Sequence, residues 1–332
     1  MDVLRTGART RWAGCCNVLA AALLALTSAT ALANYPDRPL RLIVPFPPGG
    51  AVDVLGRAVA LNVRDALGQN IVVDNRPGFG GAVGSELAAR ATADGYTLLM
   101  GSTSTISINP ALVPKLAYDP ARDFVPITLV AFVPHVLAAS ASLPGATLKE
   151  FIAYAKSRPG QLAYGSAGTG TPHHIALEMF KQMTGVDMLH VPYKGTAPAL
   201  IDLLSGRVAC MSAEVLALLP HVRAGKLRAL GIATATRNQV APEIPTVAEA
   251  GLPGFEVTSW YGILAPAGTP REVTNRLARD IAKSLGTADM RQRFADLGAT
   301  PVGNTPDEFA AFIKREAAKW ANAIKISGAK VE

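Results

Sequence analysis

Leu40-Arg41-Leu42-Ile43-Val44-Pro45-Phe46-Pro47-Pro48-Gly49-Gly50-Ala51-Val52-Asp53 is the stretch that decides the fold. Its first five residues are mostly branched apolar side chains and read as a buried strand, which Pro45 ends because proline has no N–H for a ladder. Two more prolines and Gly49-Gly50 make a tight loop. Apolar residues at helical spacing then run over 52–67, and Gly68 stops them. A strand that passes through a glycine-rich loop into a helix is the repeating unit of α/β sheets, and such a loop lies where open sheets bind ligands.

The same order recurs outward from this stretch. A strand is expected at 71–73, a helix at 84–91 and a strand at 96–100. A second run pairs helix 148–158 with strand 161–165, helix 172–183 with 188–191, helix 196–204 with 207–211, and helix 215–224 with 227–233. Amphipathic helices are expected near 270–284, 287–296 and 306–325. Short loops between alternating elements predict a mainly parallel sheet with helices on both faces. Thr147 with Glu150, Thr246 with Glu249, Thr269 with Glu272 and Thr305 with Glu308 have the spacing of capping boxes, and Thr171-Pro172 is a further helix start. A chain of 332 residues exceeds what one core usually covers, so two lobes are expected. There is no internal repeat and no long linker. The chain therefore crosses between lobes more than once, with 124–139 and 255–264 as the crossing segments.

The first 33 residues read as a cleavable export leader. Arg5, Arg9 and Arg11 precede an apolar run over 18–26, and Ala31-Leu32-Ala33 is an A-x-A cleavage signature that leaves Asn34 as the mature N-terminus. The run is short for a membrane span, and no later stretch reaches the ~20 apolar residues that one needs. Losing three Arg and one Asp with the leader lowers the formal net charge from +7 to +5. Cys15 and Cys16 leave too, so the mature chain keeps Cys210 alone and no internal disulfide can form. The mild positive charge is unclustered, which argues against nucleic acid as a partner.

Three loops are rich in small and hydroxyl residues: 45–53, Gly101-Ser102-Thr103-Ser104-Thr105, and Gly165-Ser166-Ala167-Gly168-Thr169-Gly170-Thr171, which opens into a helix. Such loops are either tight turns or places where a ligand meets the backbone, and a helix N-terminus behind one suits a carboxylate or phosphate. Neither Gly78-Phe79-Gly80-Gly81-Ala82-Val83 nor Gly168-Thr169-Gly170-Thr171-Pro172-His173 completes a dinucleotide fingerprint. No Walker sequence occurs, and Gly165-Ser166-Ala167-Gly168 lacks nucleophile-elbow spacing. Cys210 reads as a core thiol. His174 and Glu178 sit at i, i+4 beside His173 but lack a third ligand, so no metal and no cofactor are expected. His173 is expected to shape the ligand loop, and His135, His190 and His221 to pack or face solvent. Asp53 either favours the dipole of its helix or anchors the first loop.

Taken together, Tyr35-Pro36-Asp37-Arg38-Pro39, Val44-Pro45-Phe46-Pro47-Pro48-Gly49-Gly50 with Asp53, Asp74-Asn75-Arg76-Pro77-Gly78 and Asp94-Gly95-Tyr96-Thr97-Leu98-Leu99 resemble the Bug family, the periplasmic solute receptors of tripartite tricarboxylate transport systems. The resemblance continues in Tyr164-Gly165-Ser166-Ala167-Gly168-Thr169-Gly170, Val191-Pro192-Tyr193-Lys194-Gly195, Gly225-Lys226-Leu227-Arg228-Ala229-Leu230, Ile244-Pro245-Thr246 with Glu249-Ala250-Gly251, and Ala265-Pro266-Ala267-Gly268-Thr269-Pro270, spanning the mature chain in order. It implies an α/β periplasmic binding protein of type II, with two doubly wound lobes and a ligand cleft between them: residues 34–130 and 255–332 in one lobe, 131–254 in the other. It implies a monomer that binds a small carboxylate in the periplasm and docks on a membrane permease. The implied ligand residues are Phe46, Pro48, Gly49, Gly50 and Asp53 around one carboxylate end, and Ser102, Thr103, Ser104, Ala167, Thr169, Gly170, Thr171, His173, Tyr193 and Lys194 around the other.

One stretch departs from the family pattern G-x-V-D-x-x-F-D. Here Ala209 and Ala213 replace both acids and Ser212 the aromatic, with Glu214 following. The second acid would suit a ligand ammonium or hydroxyl, so the departure at Ala213 predicts a receptor that does not hold an α-amino acid through that position. Two other readings stand beside the transport receptor: a sensing module that docks on a sensor-kinase ectodomain, and a periplasmic enzyme, for which no nucleophile–base pair is visible.

Overall fold

The computed structural model describes residues 35–330; the expected leader, its cleavage after Ala33, and Cys15 and Cys16 lie outside the described residues. Strand β1 (Leu40–Val44) runs through the proline-glycine loop into α1 (Ala51–Asn62), followed by β2 (Ile71–Asn75), α2 (Ala82–Ala89) and β3 (Thr97–Ser102). β1 lies parallel to both β2 and β3, with Leu42 opposite Val73 and Leu98. Leu40, Leu42, Ile43 and Val44 are fully buried, as a strand covered on both faces requires.

The 17-residue β4 (Phe124–Ser140) comes next. After it come α3 (Leu148–Lys156), β5 (Ala163–Ser166), α4 (Pro172–Thr184), β6 (Leu189–Pro192), α5 (Thr196–Leu204), β7 (Cys210–Glu214), α6 (Val215–Arg223) and β8 (Leu227–Ile232). β9 (Thr258–Pro266), α7 (Arg271–Leu285), α8 (Ala288–Asp296), β10 (Thr300–Pro301) and α9 (Pro306–Ser327) complete the chain. The sheet order is β2-β1-β3-β9-β4-β7-β5-β6, with β8 and β10 also pairing with β4.

This sheet is mixed, which corrects the expectation of a mainly parallel one. Pairing is parallel in the two wings, β2-β1-β3 and β6-β5-β7, where a helix carries the chain back between strands. The central strands are antiparallel, β4 pairing in that sense with β9, β7, β8 and β10. β4 changes partner along its length. Residues from Phe124 to Pro134 pair with β9, whereas His135 onward pairs with β7 and Val136 onward with β8. His135 therefore stands at the switch between the wings.

Among the described residues, three apolar clusters hold the layers together. One packs Ile43, Leu99, Trp260, Leu264 and Phe309 in the β1 wing. The other two lie in the β5 wing, around Phe151, Tyr164 and Phe180, and around Val136, Met211, Ala213 and Leu218. The end of α9 joins the Phe180 cluster through Trp320 and Ile324. The boxes at Thr147/Glu150 and Thr305/Glu308 form, and the Thr246/Glu249 pair bonds reciprocally at a turn. Thr269 does not cap α7. Its hydroxyl donates to Pro266 O at 2.8 Å, and the helix begins one residue later without a side-chain cap.

Candidate functional site

The first loop is held from beneath by Asp53. Its Oδ2 accepts from the Gly49 amide at 3.0 Å, and its Oδ1 accepts from Arg57 Nε and Asn75 Nδ2, both at 2.9 Å. Asn75 Nδ2 also donates to Phe46 O at 3.0 Å, tying both ends of the loop to one buried acid. Burial alone would raise the Asp53 carboxyl, but Arg57, the Gly49 amide and Asn75 outweigh it and hold the group below its ordinary value. Gly84 leaves room for this loop, because a Cβ there would come within 2.6 Å of Arg76 O and 2.8 Å of Pro45 Cα.

The second loop enters a π-helical segment, Thr103–Ile108, capped by Ser102. Thr103 Oγ1 accepts from the Trp260 amide at 2.8 Å. Ser104 Oγ lies 2.9 Å from Gly80 O and 2.7 Å from Gly170 O, so its single proton is shared between two loops. In the third loop Thr171 turns its hydroxyl onto Gly168 O, at 2.7 Å, and leaves the N-terminus of α4 without a side-chain cap.

These loops line one cavity of about 510 Å³, open solvent at its mouth included. Three helices begin at its wall. Gly50, Ala51 and Val52 of α1, Thr171 and His173 of α4, and Thr196 and Ala197 of α5 all line it. None of the three N-termini has a side-chain cap. Pro172 and Pro198 carry no N–H, and the His174 amide bonds Thr171 O at 3.0 Å. The first-turn amides left without an intrahelical partner at the cavity are therefore those of Ala51, Val52, His173, Thr196 and Ala197, each at the positive end of its helix dipole. Three such ends around one cavity are a strong setting for an anion.

Opposite in charge, Glu214 also lines the cavity. Its Oε1 accepts from Tyr261 OH at 2.7 Å and Ser259 Oγ at 3.3 Å, and its Oε2 is 3.0 Å from His173 Nε2. Burial would raise this carboxyl; the imidazoles of His173 and His135 and the Tyr261 hydroxyl outweigh it and hold the group well below the usual carboxylate range. His135 spans Ser212 Oγ at 3.1 Å and Ser259 Oγ at 2.8 Å, and burial drops its pKa to about 3. Among the described residues, His135, His173 and Glu214 are the one group whose spacing would suit a metal ion. Both His135 nitrogens and Glu214 Oε1 already have hydrogen-bond partners, so the group is better described as a hydrogen-bonded cluster. The His174–Glu178 pair is used elsewhere. His174 stacks on His190 at 4.2 Å, and Glu178 accepts from Tyr164 OH at 2.5 Å.

Of the residues expected in the site, Phe46, Pro48, Gly50, Ser102, Thr103, Ser104, Ala167, Thr171 and His173 line this cavity. Thr169, Tyr193 and Lys194 line a neighbouring opening with Phe79 and Gly80, and the Tyr193 hydroxyl is bound to Asp202 at 2.7 Å. Gly49 and Asp53 lie behind the wall. Gly170 packs against Asn109. Ala213 points away: along β7 it opposes Val136 and packs in the apolar cluster, so Ser212 and Glu214 take the site side. Sequence reading missed Tyr261, Ser259, the role of His135 and the start of α5, and noted Glu214 only in passing. Alternation along β7 was the available signal for Glu214. Ser166 Oγ meets His190 Nε2 at 2.7 Å, a serine–histidine contact the sequence did not reveal. Ser166 is fully buried, outside the cavity wall, and accepts from the Gly168 amide, so the contact fixes the third loop.

Residues 55–329 match the family model described as tripartite tricarboxylate transporter family receptor. BugT of Bordetella pertussis is 41% identical over 300 residues, covering 90% of this chain and 92% of BugT. The solved structure of Rhodopseudomonas palustris Rpa4515 with adipate is 38% identical with a TM-score of 0.87, covering 90% of this chain and all of that one. The structure of MatC from the same organism with bound malate is 35% identical with a TM-score of 0.83, covering 87% of this chain and all of that one. A match along most of the described residues, with a relative at 41% identity, means that the chain belongs to the tripartite tricarboxylate transporter receptor family.

Proposed function

We propose that this protein is a periplasmic receptor that captures a small organic carboxylate and delivers it to the membrane permease of a tripartite transporter. The observation that carries this reading is the convergence of three uncapped helix N-termini on one cavity. Backbone amides there can replace the water that a carboxylate loses on entry. Adipate and malate in the two related structures are acids of the matching class. The lobes are residues 34–130 with 255–332 and residues 131–254, connected through β4 and through the segment leading into β9. Ligand that contacts both lobes favours their closed arrangement by its differential affinity for it, and the closed form is what the permease reads. Export rests on the leader at residues 1–33; among the described residues no helix is long and apolar enough to cross a membrane.

The test is a thermal-shift screen of the mature protein over mono-, di- and tricarboxylates, after mass spectrometry of any small molecule released on denaturation. A ligand at 100 times its Kd adds about 2.7 kcal/mol. With an unfolding entropy of ~2.1 cal/mol/K per residue over roughly 300 residues, that raises the midpoint by about 4 °C. If no carboxylate moves the midpoint, the reading fails.

A further inference from the structure

Glu214 is the feature of the cavity that an anion-binding site does not explain. It occupies the N-cap position of α6 yet makes no capping bond, its carboxylate being turned toward the cavity and not onto its own helix. The side chain is 4% exposed, and three groups from β9 and β4 surround it: Tyr261, Ser259 and His135. All of them address Oε1. Oε2 lies 3.0 Å from His173 Nε2 but has no aligned hydrogen-bond partner, and His173 Nδ1 has none either, although both atoms are buried. A carboxylate oxygen has two lone pairs, so beside the misaligned His173 contact Oε2 keeps acceptor capacity that a ligand donor can fill.

Resting on the carboxylate reading above, we propose that Glu214, with His173 beside it, is the specificity-determining residue at the second end of the ligand. It selects a molecule that carries one carboxylate and, at its other end, a hydrogen-bond donor such as a hydroxyl or an ammonium. The carboxylate faces the helix N-termini, which supply only donors. The second group faces Oε2, which supplies only an acceptor. A ligand with carboxylates at both ends brings a like charge against buried Glu214, where such charges repel more strongly than in water. A methyl-ended acid avoids the repulsion but brings no donor to Oε2. Tyr261, Ser259 and His135 are positioning residues that aim the carboxylate.

The experiment is calorimetric titration of the whole mature protein with chains of equal length that differ at one end: succinate, 4-hydroxybutyrate, 4-aminobutyrate and butyrate, and the matching five- and six-carbon sets. At the chain length that binds best, the hydroxyl- or ammonium-ended acid is expected to bind at least tenfold more tightly than the dicarboxylate. Glu214→Gln, which keeps an oxygen for Tyr261, should reduce that preference to less than threefold. A dicarboxylate that binds the unaltered protein as tightly as its donor-ended counterpart overturns the proposal, whether or not the variant folds. So does a variant that weakens every ligand by the same factor. If none of the acids binds, the carboxylate reading itself fails, a result distinct from an inverted ranking.

Discussion

Asp53→Asn isolates the part of the site that the protein builds for its own loop. Three donors converge on this carboxylate, Gly49 N–H on Oδ2 and Arg57 and Asn75 on Oδ1. An asparagine offers one oxygen, and whichever way its amide turns, an NH2 faces a donor. Loss of one hydrogen bond costs about 1 kcal/mol, and the donor left buried adds ~1–2 kcal/mol. The Arg57 contribution is small because half of that side chain is in solvent. The total is about 2–3 kcal/mol, or a midpoint lower by roughly 3–5 °C with the entropy used above. Because the loop leads into the N-terminus of α1, carboxylate affinity should fall at least tenfold. The pH dependence has a definite sign. The folded protein holds Asp53 below its ordinary 3.8, so its contribution is complete above that value and disappears as pH falls further. The gap between the parent and Asp53→Asn should therefore be full at pH 7 and close progressively below about pH 4. Melts of the ligand-free proteins from pH 3 to 7, with titrations at pH 7, make the test. Identical melting at neutral pH, or a gap that persists undiminished in acid, would refute the anchoring role.

Three further outcomes follow from the same reasoning. Ala213→Asp places a charge in the apolar cluster around Val136 and Leu218, so it should cost at least ~3 kcal/mol in urea unfolding and create no amino-acid affinity. Gly84→Ala brings a Cβ against Arg76 O and Pro45 Cα; it should lower stability by about 1–3 kcal/mol and weaken carboxylate binding through the displaced first loop. Burial pushes the Cys210 thiol far above its ordinary value, so a thiol reagent should label the native protein at the rate of global unfolding, and rapid labelling without denaturant would contradict the burial.

The legible parts of this molecule are those set by neighbours in sequence. β1, its proline-glycine loop and the start of α1 follow from the stretch Leu40–Asp53, and the boxes at Thr147 and Thr305 follow from spacing alone. Thr269 had the same spacing and did something else, because the Pro266 carbonyl lay within reach of its hydroxyl. The family resemblance, carried by motifs along the whole chain, agrees with the family match. The antiparallel centre of the sheet was hidden, because nothing local in 124–140 says that one strand will serve two wings. The same limit explains the Glu214 cluster. His135, Glu214 and Tyr261 are far apart in sequence, and β4 and β9 bring them together by pairing across the molecule. Whether residue 213 or 214 faces the cleft depends on β7 register against β4, in which His135 opposes Glu214 and Val136 opposes Ala213.

The most direct measurement is a crystal structure of the protein with the carboxylate that gives the largest thermal shift. Its carboxylate oxygens are expected within hydrogen-bond distance of first-turn amides of α1, α4 or α5, inside the cavity lined by Gly50, Thr171 and Thr196. A carboxylate found instead at the neighbouring opening beside Lys194, with the helix N-termini left to water, would contradict it.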